Sequence, residues 1–256
     1  MTIDFKKIKK IHFSGIKGVG MTALALCAQD MGIKISGSDV EEKFVTDEIL
    51  KKRKIYWQAG FAKDHFPKDT DLLIFTASHG GKANVEVIAA QEKNIPILSQ
   101  AQAMGEFMKG KIGISCCGVG GKSTTASMIA TILNNSGLKP SFVIGVGNIP
   151  SLGGAGSYKN ESKYFVAEAD EYFDPLTKKP KFLFQNPKVI ILTNIEYDHP
   201  DVYPNLEATM KAYQSFVKKL PHDGLLVANK DNSKIYNLPN MIRPAKFNIK
   251  TFGFSE

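Results

Sequence analysis

GISCCGVGGKSTTASMIATIL, residues 113–133, sets the architecture of the chain. A strand-length apolar run enters a turn holding Gly118, Gly120 and Gly121, and Lys122, Ser123, Thr124 and Thr125 then open a helix. Glycines let backbone N–H groups close around phosphate oxygens, the helix start adds a partial positive field, and a lysine ammonium reaches the outer phosphates. The Ser123 hydroxyl is placed to ligate Mg²⁺. The complete P-loop pattern has a further glycine six residues before the lysine, where this chain has Cys116, so the motif is a shortened G-x-G-G-K-S-T-T. It reads as a site for a nucleoside triphosphate, ATP or GTP.

On both sides of this motif, strand-length apolar runs alternate with helix-length amphipathic segments, the pattern of a parallel sheet with crossover helices. The 256 residues, 43% of them apolar, suffice for two domains with cores of their own. The series KIHFSG, MTALALCAQDMG, IKISGSD, VTDEILKKRKI, DLLIFTAS, NVEVIAAQEKN, IPILS and QAQAMGEFMKG precedes a second series that starts at Lys111. The predicted fold is α/β: a Rossmann-like parallel-sheet domain over residues 1–109, followed by a P-loop-type central domain over residues 110–256. The glycine-rich link GVGNIPSLGGAGS, residues 145–157, reads either as a ligand loop or as a surface turn.

The first unit has a glycine turn of its own, IHFSGIKGVGMTA. Lys17 stands at the second glycine of the dinucleotide fingerprint, which argues against a nicotinamide cofactor. Gly15, Gly18 and Gly20 still bare the backbone at a helix start, which suits a diphosphate, and Asp39 follows at the distance of an acid that takes a ribose hydroxyl. Two cradles in series, only one with the Lys–Ser pair, imply two different phosphorylated ligands.

In the second unit, VAEADEYFD crowds Glu168, Asp170, Glu171 and Asp174 together, and such carboxylates repel unless cations balance them. VIILTNIEYDHPDVY is a buried strand ending in Asn194, Glu196, Asp198 and His199. Ligands bind beyond the carboxyl ends of parallel strands, and Lys122, Glu168 and His199 all follow such strands. His12, His65, His79 and His222 are read as structural.

Composition excludes other classes. Cys27, Cys116 and Cys117 have neither disulfide nor zinc spacing and read as small buried apolar residues. The net charge of +8 is scattered apart from KKIKK at 6–10 and KKRK at 51–54, so no nucleic-acid stripe is read. No apolar run spans a membrane and the N-terminal stretch lacks signal-peptide features, so a cytoplasmic protein without membrane insertion is expected.

Taken together, IHFSGIKGVGMTALA, SGSD, GVGGKSTTA, FVIGVGN, VAEADEY and LTNIEYDHPDVY resemble, in content and order, motifs of the Mur ligases of peptidoglycan synthesis, specifically the branch acting on UDP-N-acetylmuramate. The resemblance implies an ATP-dependent carboxylate–amine ligase that joins L-alanine to UDP-N-acetylmuramate through an acyl phosphate, with ATP and Mg²⁺ as cofactors. A ligase adding a preformed tripeptide to the same sugar is the nearest alternative; a P-loop phosphotransferase or ATPase and a non-catalytic UDP-sugar-binding module are the others. Carried over by position, Gly118, Gly120, Gly121, Lys122, Ser123, Thr124 and Asn194 bind ATP. Ser123, Glu168 and His199 bind metal, and Lys122, Glu168 and His199 are catalytic. Gly15, Gly18, Gly20, Ser38, Asp39, Ser78 and Asn148 surround the UDP-sugar. Gly120 replaces the family's histidine, and Gln214 stands where some members carry a carbamylated lysine. Family members have a third domain that binds the incoming amino acid, so the chain is expected to be truncated within the central domain. It should then bind UDP-sugar without ligase turnover; ADP release dependent on both UDP-N-acetylmuramate and L-alanine would contradict that expectation.

Overall fold

The computed structural model describes residues 3–5, 7–236 and 246–254; Lys6 of the basic run lies outside the described residues. The first unit contains β1 (Lys10–Ser14), α1 (Val19–Asp30), β2 (Lys34–Asp39), α2 (Asp47–Lys52), β3 (Trp57–Ala59), β4 (Leu72–Phe75), α3 (Val85–Glu92), β5 (Ile97–Ser99) and α4 (Gln100–Met108). Its strands form one parallel sheet in the order β3-β2-β1-β4-β5. Strand order reverses beside β1, so the first glycine turn leaves the sheet at the topological switch point. Every residue of β4 is buried, as the continuous LLIF run requires. α4 begins at a capping box in which Ser99 and Gln102 bond each other's backbone amides.

The second unit contains β6 (Ile112–Cys117), α5 (Lys122–Asn135), β7 (Ser141–Val143), β8 (Gly156–Ser157), β9 (Tyr164–Glu168), β10 (Pro187–Leu192), α6 (Leu206–Val217), β11 (Leu225–Asn229), α7 (Ser233–Tyr236) and β12 (Asn248–Phe252). The order is β12-β11-β10-β6-β9-β7-β8, parallel except for the β7–β8 pair. β6 lies between β9 and β10, so its carboxyl end, where the second glycine turn starts, is flanked by the ends of both neighbours.

α1 joins the two units. Its sequence is apolar nearly all round and residues Met21–Ala28 are all buried, because one side faces the first sheet and the other faces β7 and β8. Leu24, Leu26 and Cys27 share one core with Val143, Phe165 and Ala167 of the second sheet and with Ala155 just before β8. The Cys27 thiol reaches the Phe142 carbonyl at 3.3 Å. Asp30, the last residue of α1, accepts from the Ser157 hydroxyl at 2.8 Å and the Tyr158 amide at 3.0 Å, and pairs with Arg53. The glycine-rich link is therefore neither wholly a ligand loop nor a free turn: after a 3₁₀ turn over Pro150–Leu152, Ala155 and Gly156 belong to this seam. A Cβ on Gly156 would stand 2.0 Å from the Ala23 carbonyl oxygen.

That approach leaves no room for a side chain. Gly156→Val is expected to lower unfolding free energy by about 1–3 kcal/mol through overpacking, read as a lower denaturant midpoint.

Candidate functional site

The first cradle is built by backbone bonds to the end of β2. The Gly15 and Ile16 amides donate to the Ser38 carbonyl at 2.8 and 3.2 Å, and the Lys17 amide donates to Asp39 Oδ2 at 2.6 Å. Gly15 is in the left-handed region at φ +85, and a Cβ there would stand 2.4 Å from Thr76 Cγ2, so glycine is required twice over. Gly18 caps α1, whose first turn has no acidic residue to offset the helix field.

Several residues assigned to the UDP-sugar from sequence serve this loop instead of facing outward. Ser38 and Asp39 are 0% and 1% exposed. The Ser38 hydroxyl sits 3.2 Å from the buried ring of His12, while Asp39 holds the amides of Lys17 and Val40. Strand alternation sends the two side chains to opposite faces of β2, and both are covered at its end. A Cβ on Gly20 would stand 2.3 Å from Gln100 Nε2, the movable end of a long side chain that packs over the start of α1. Ser78 and Asn148 are exposed, on the segment after β4 and on the link after β7. His79, read from sequence as structural, lies at the cradle's edge with Nε2 3.5 Å from Asp39 Oδ1.

Lys17 has its own account. Its side chain is fully buried and its ammonium is directed away from the cradle. It donates to the carbonyls of Val40, at 3.0 Å, and Glu42, lies 3.5 Å from Asp47 and stands 4.1 Å above the Trp57 ring. The ammonium thereby gathers residues 40–47. From that segment Val45 leans on the second unit, where a Cβ on Gly147 would be 2.9 Å from Val45 Cγ2.

The second cradle is held by the residues following β10. The Gly120 amide donates to Asn194 Oδ1 at 2.8 Å and the Gly120 carbonyl accepts from Asn194 Nδ2 at 2.9 Å. The Thr193 hydroxyl donates to the same carbonyl at 2.6 Å. Asn194, assigned to ATP from sequence, here braces the loop. Gly118 at φ +130 and Gly121 at φ +80 supply the conformations that the turn needs, and Gly121 caps α5. Lys122 opens α5, with Ser123 half-buried and Thr124 exposed beside it; no acid lies in this first turn.

The carboxylates divide. Glu168, the last residue of β9, accepts from the Gly145 amide at 3.0 Å, so it faces the glycine-rich link. It is Glu171 that meets Lys122, 3.1 Å from Nζ, and His199, 3.6 Å from Nε2. Sequence reasoning counted Glu171 among the crowded acids without giving it a site role. The spacing E-A-D-E could not reveal which acid turns inward once the strand has ended. Burial pushes the Glu171 carboxyl up from its ordinary value, against the opposing pull of Lys122. Asp170 pairs with Lys181 at 2.8 Å, and Asp174 caps its own turn through Leu176 and Thr177. Among the described residues no three His, Cys, Asp or Glu side chains gather tightly enough to hold a metal unaided. Burial pushes Cys116 up to about 12 and raises Cys117 as well, so neither is a thiolate nucleophile.

The profile of the Mur ligase family, catalytic domain, matches residues 10–112, and that of the Mur ligase middle domain matches residues 117–256. A UDP-N-acetylmuramate–L-alanine ligase of Clostridium kluyveri is 36% identical over 255 residues, covering 99% of this chain and 53% of the relative. The crystal structure of a UDP-N-acetylmuramate:L-alanyl-gamma-D-glutamyl-meso-diaminopimelate ligase from Neisseria meningitides superposes with TM-score 0.83 at 28% identity, covering 96% of this chain and 78% of that one. A UDP-N-acetylmuramate-alanine ligase from Thermotoga maritima gives TM-score 0.78 at 26% identity, covering 96% and 53%. The chain spans about half the length of the curated relatives it matches.

The Lys17 cage carries its own test. Lys17→Met removes the buried ammonium that bonds the Val40 and Glu42 carbonyls and is expected to cost about 1–3 kcal/mol of stability, measured by urea unfolding.

Proposed function

The chain belongs to the Mur ligase family, and on that premise we propose that it forms the sugar-nucleotide and ATP-binding part of a ligase joining L-alanine to UDP-N-acetylmuramate. The observation that carries this reading is the pair of glycine cradles at the carboxyl ends of parallel strands in two sheets, only the second of which has a lysine paired with an acid that also meets an imidazole. The proposed division falls between α4 and β6, near residues 109–111, with the UDP-sugar held by the first unit and ATP by the second. The reaction is placed in the cytoplasm; no helix among the described residues is long and apolar enough to cross a membrane.

In this reading the free amides at the start of α1 take the diphosphate, with Gly15, Gly18 and the exposed Ser78 and Asn148 around it. Ser38, Asp39 and Lys17 hold the loops in shape. In the second cradle the turn from Gly118 to Gly121 surrounds the ATP phosphates, braced by Asn194, with Thr124 exposed beside it. Lys122 neutralises charge that builds on the transferred γ-phosphoryl group as the muramyl carboxylate attacks it. The acyl phosphate formed is then open to attack by the amine, with phosphate leaving. In this reading a hard cation would be held by the Ser123 hydroxyl, by Glu168, which gives up its bond to the Gly145 amide, and by His199, with substrate phosphates as further ligands. When bound, Mg²⁺ offsets the negative charge of the phosphates.

A second reading has an observation in its favour: the peptide-adding ligase from Neisseria superposes at a higher TM-score than the Thermotoga ligase. Comparing ATP consumption with L-alanine and with the tripeptide, on the full-length protein, separates the two. The shared reading is tested by calorimetric titration of UDP-N-acetylmuramate and of a non-hydrolysable ATP analogue with Mg²⁺. Both should bind. Lys122→Ala should weaken the ATP analogue by roughly tenfold to a hundredfold, the worth of a charged hydrogen bond, and leave the sugar nucleotide unaffected. Analogue binding indifferent to Lys122 would refute the reading.

A further inference from the structure

We infer that Glu171 is the resident counter-ion of the nucleotide site, holding Lys122 until phosphates displace it and then serving as a ligand for the cation that accompanies them. The inference rests on the proposed ATP site and adds to it a residue that the family motifs, as carried over, leave without a role.

Four observations converge on this carboxylate. Its side chain is 2% exposed, yet Oε1 is shared between Lys122 Nζ at 3.1 Å and His199 Nε2 at 3.6 Å. Oε2 is buried and has no hydrogen-bond partner. The surrounding backbone is fixed: the Tyr203 hydroxyl donates to the Glu171 carbonyl at 2.6 Å, and Asp170 is tied to Lys181 and to the Tyr172 amide. Glu168 is engaged elsewhere, by the Gly145 amide. A buried carboxylate with one unmet oxygen is costly to maintain in a rigid setting, and a divalent cation is the partner that would meet it.

The arrangement also sets what the nucleotide must overcome. In this structure the Lys122 ammonium donates to Glu171 and to the Val119 carbonyl. A triphosphate competes with Glu171 for that ammonium, and once it succeeds two sets of negative oxygens face each other in a poorly solvated site. They repel unless a cation lies between them. Glu171 therefore opposes nucleotide without metal and favours nucleotide with it.

The test is calorimetric titration of a non-hydrolysable ATP analogue into the 256-residue chain, in Mg²⁺ and separately in EDTA. For Glu171→Gln the affinity in EDTA should rise roughly tenfold, while the gain on adding Mg²⁺ shrinks by a similar factor. Glu171→Asp, which keeps the charge but draws it back from Lys122, should retain an intermediate Mg²⁺ gain, and decides the matter if the Gln variant does not fold. A Glu171→Gln chain with the wild-type ratio of Mg²⁺ to EDTA affinities overturns the inference. So does an equal loss under both conditions, which marks a merely structural residue. Absence of analogue binding by the wild-type chain overturns the ATP-site reading itself, and this assignment with it.

Discussion

The burial of α1 on both sides is the constraint on which the rest of the molecule depends. A helix covered by one sheet needs one apolar stripe; this one carries apolar residues nearly all round because β7 and β8 cover what the first sheet leaves bare. The contact of Gly156 with Ala23 sets how closely the sheets approach. Since α1 also begins at the first glycine turn, the helix that presents one cradle is the same body that fixes the position of the other unit.

The cradles reach similar backbone shapes by different means. The first is tied to β2 by Ser38 and Asp39, and its one cation is turned inward to organise a neighbouring segment. Its pull on an anion comes from amides and the helix field. The second is tied to the end of β10 by Thr193 and Asn194 and presents a lysine already in contact with an acid. Charge in the first serves architecture, and charge in the second is held close to where phosphates would lie.

Much of this was legible in the residues. Strand, glycine turn and helix follow one another in both units with apolar runs long enough to leave little ambiguity, and Gly118, Gly121 and Lys122 stand where the motif puts them. Three strands escaped notice. β3 and β8 are three and two residues long, and β12 has mostly exposed residues, so none offers an apolar run. Side-chain direction beyond a strand end was equally hidden. Nothing in SGSD says that Ser38 turns to His12 and Asp39 to the loop amides, and nothing in EADE says that Glu171 folds back to Lys122 while Glu168 turns to Gly145. Such choices are made by tertiary partners such as Tyr203 and Lys181, 32 and 11 residues along the chain from the groups they hold. Lys17 posed the same difficulty: a lysine in a phosphate-type loop invites an outward reading, and only the cluster of carbonyls and aromatic rings behind it reverses that.

The two thiols under the second cradle have a practical corollary. Cys116 and Cys117 end the central strand, fully covered and held protonated by their surroundings. Electrophilic reagents thus meet no reactive sulfur at the second glycine turn while the sheet is intact. Labelling of these positions becomes a clock for the opening of the sheet's middle, insensitive to occupancy of the pocket above it except as occupancy slows that opening.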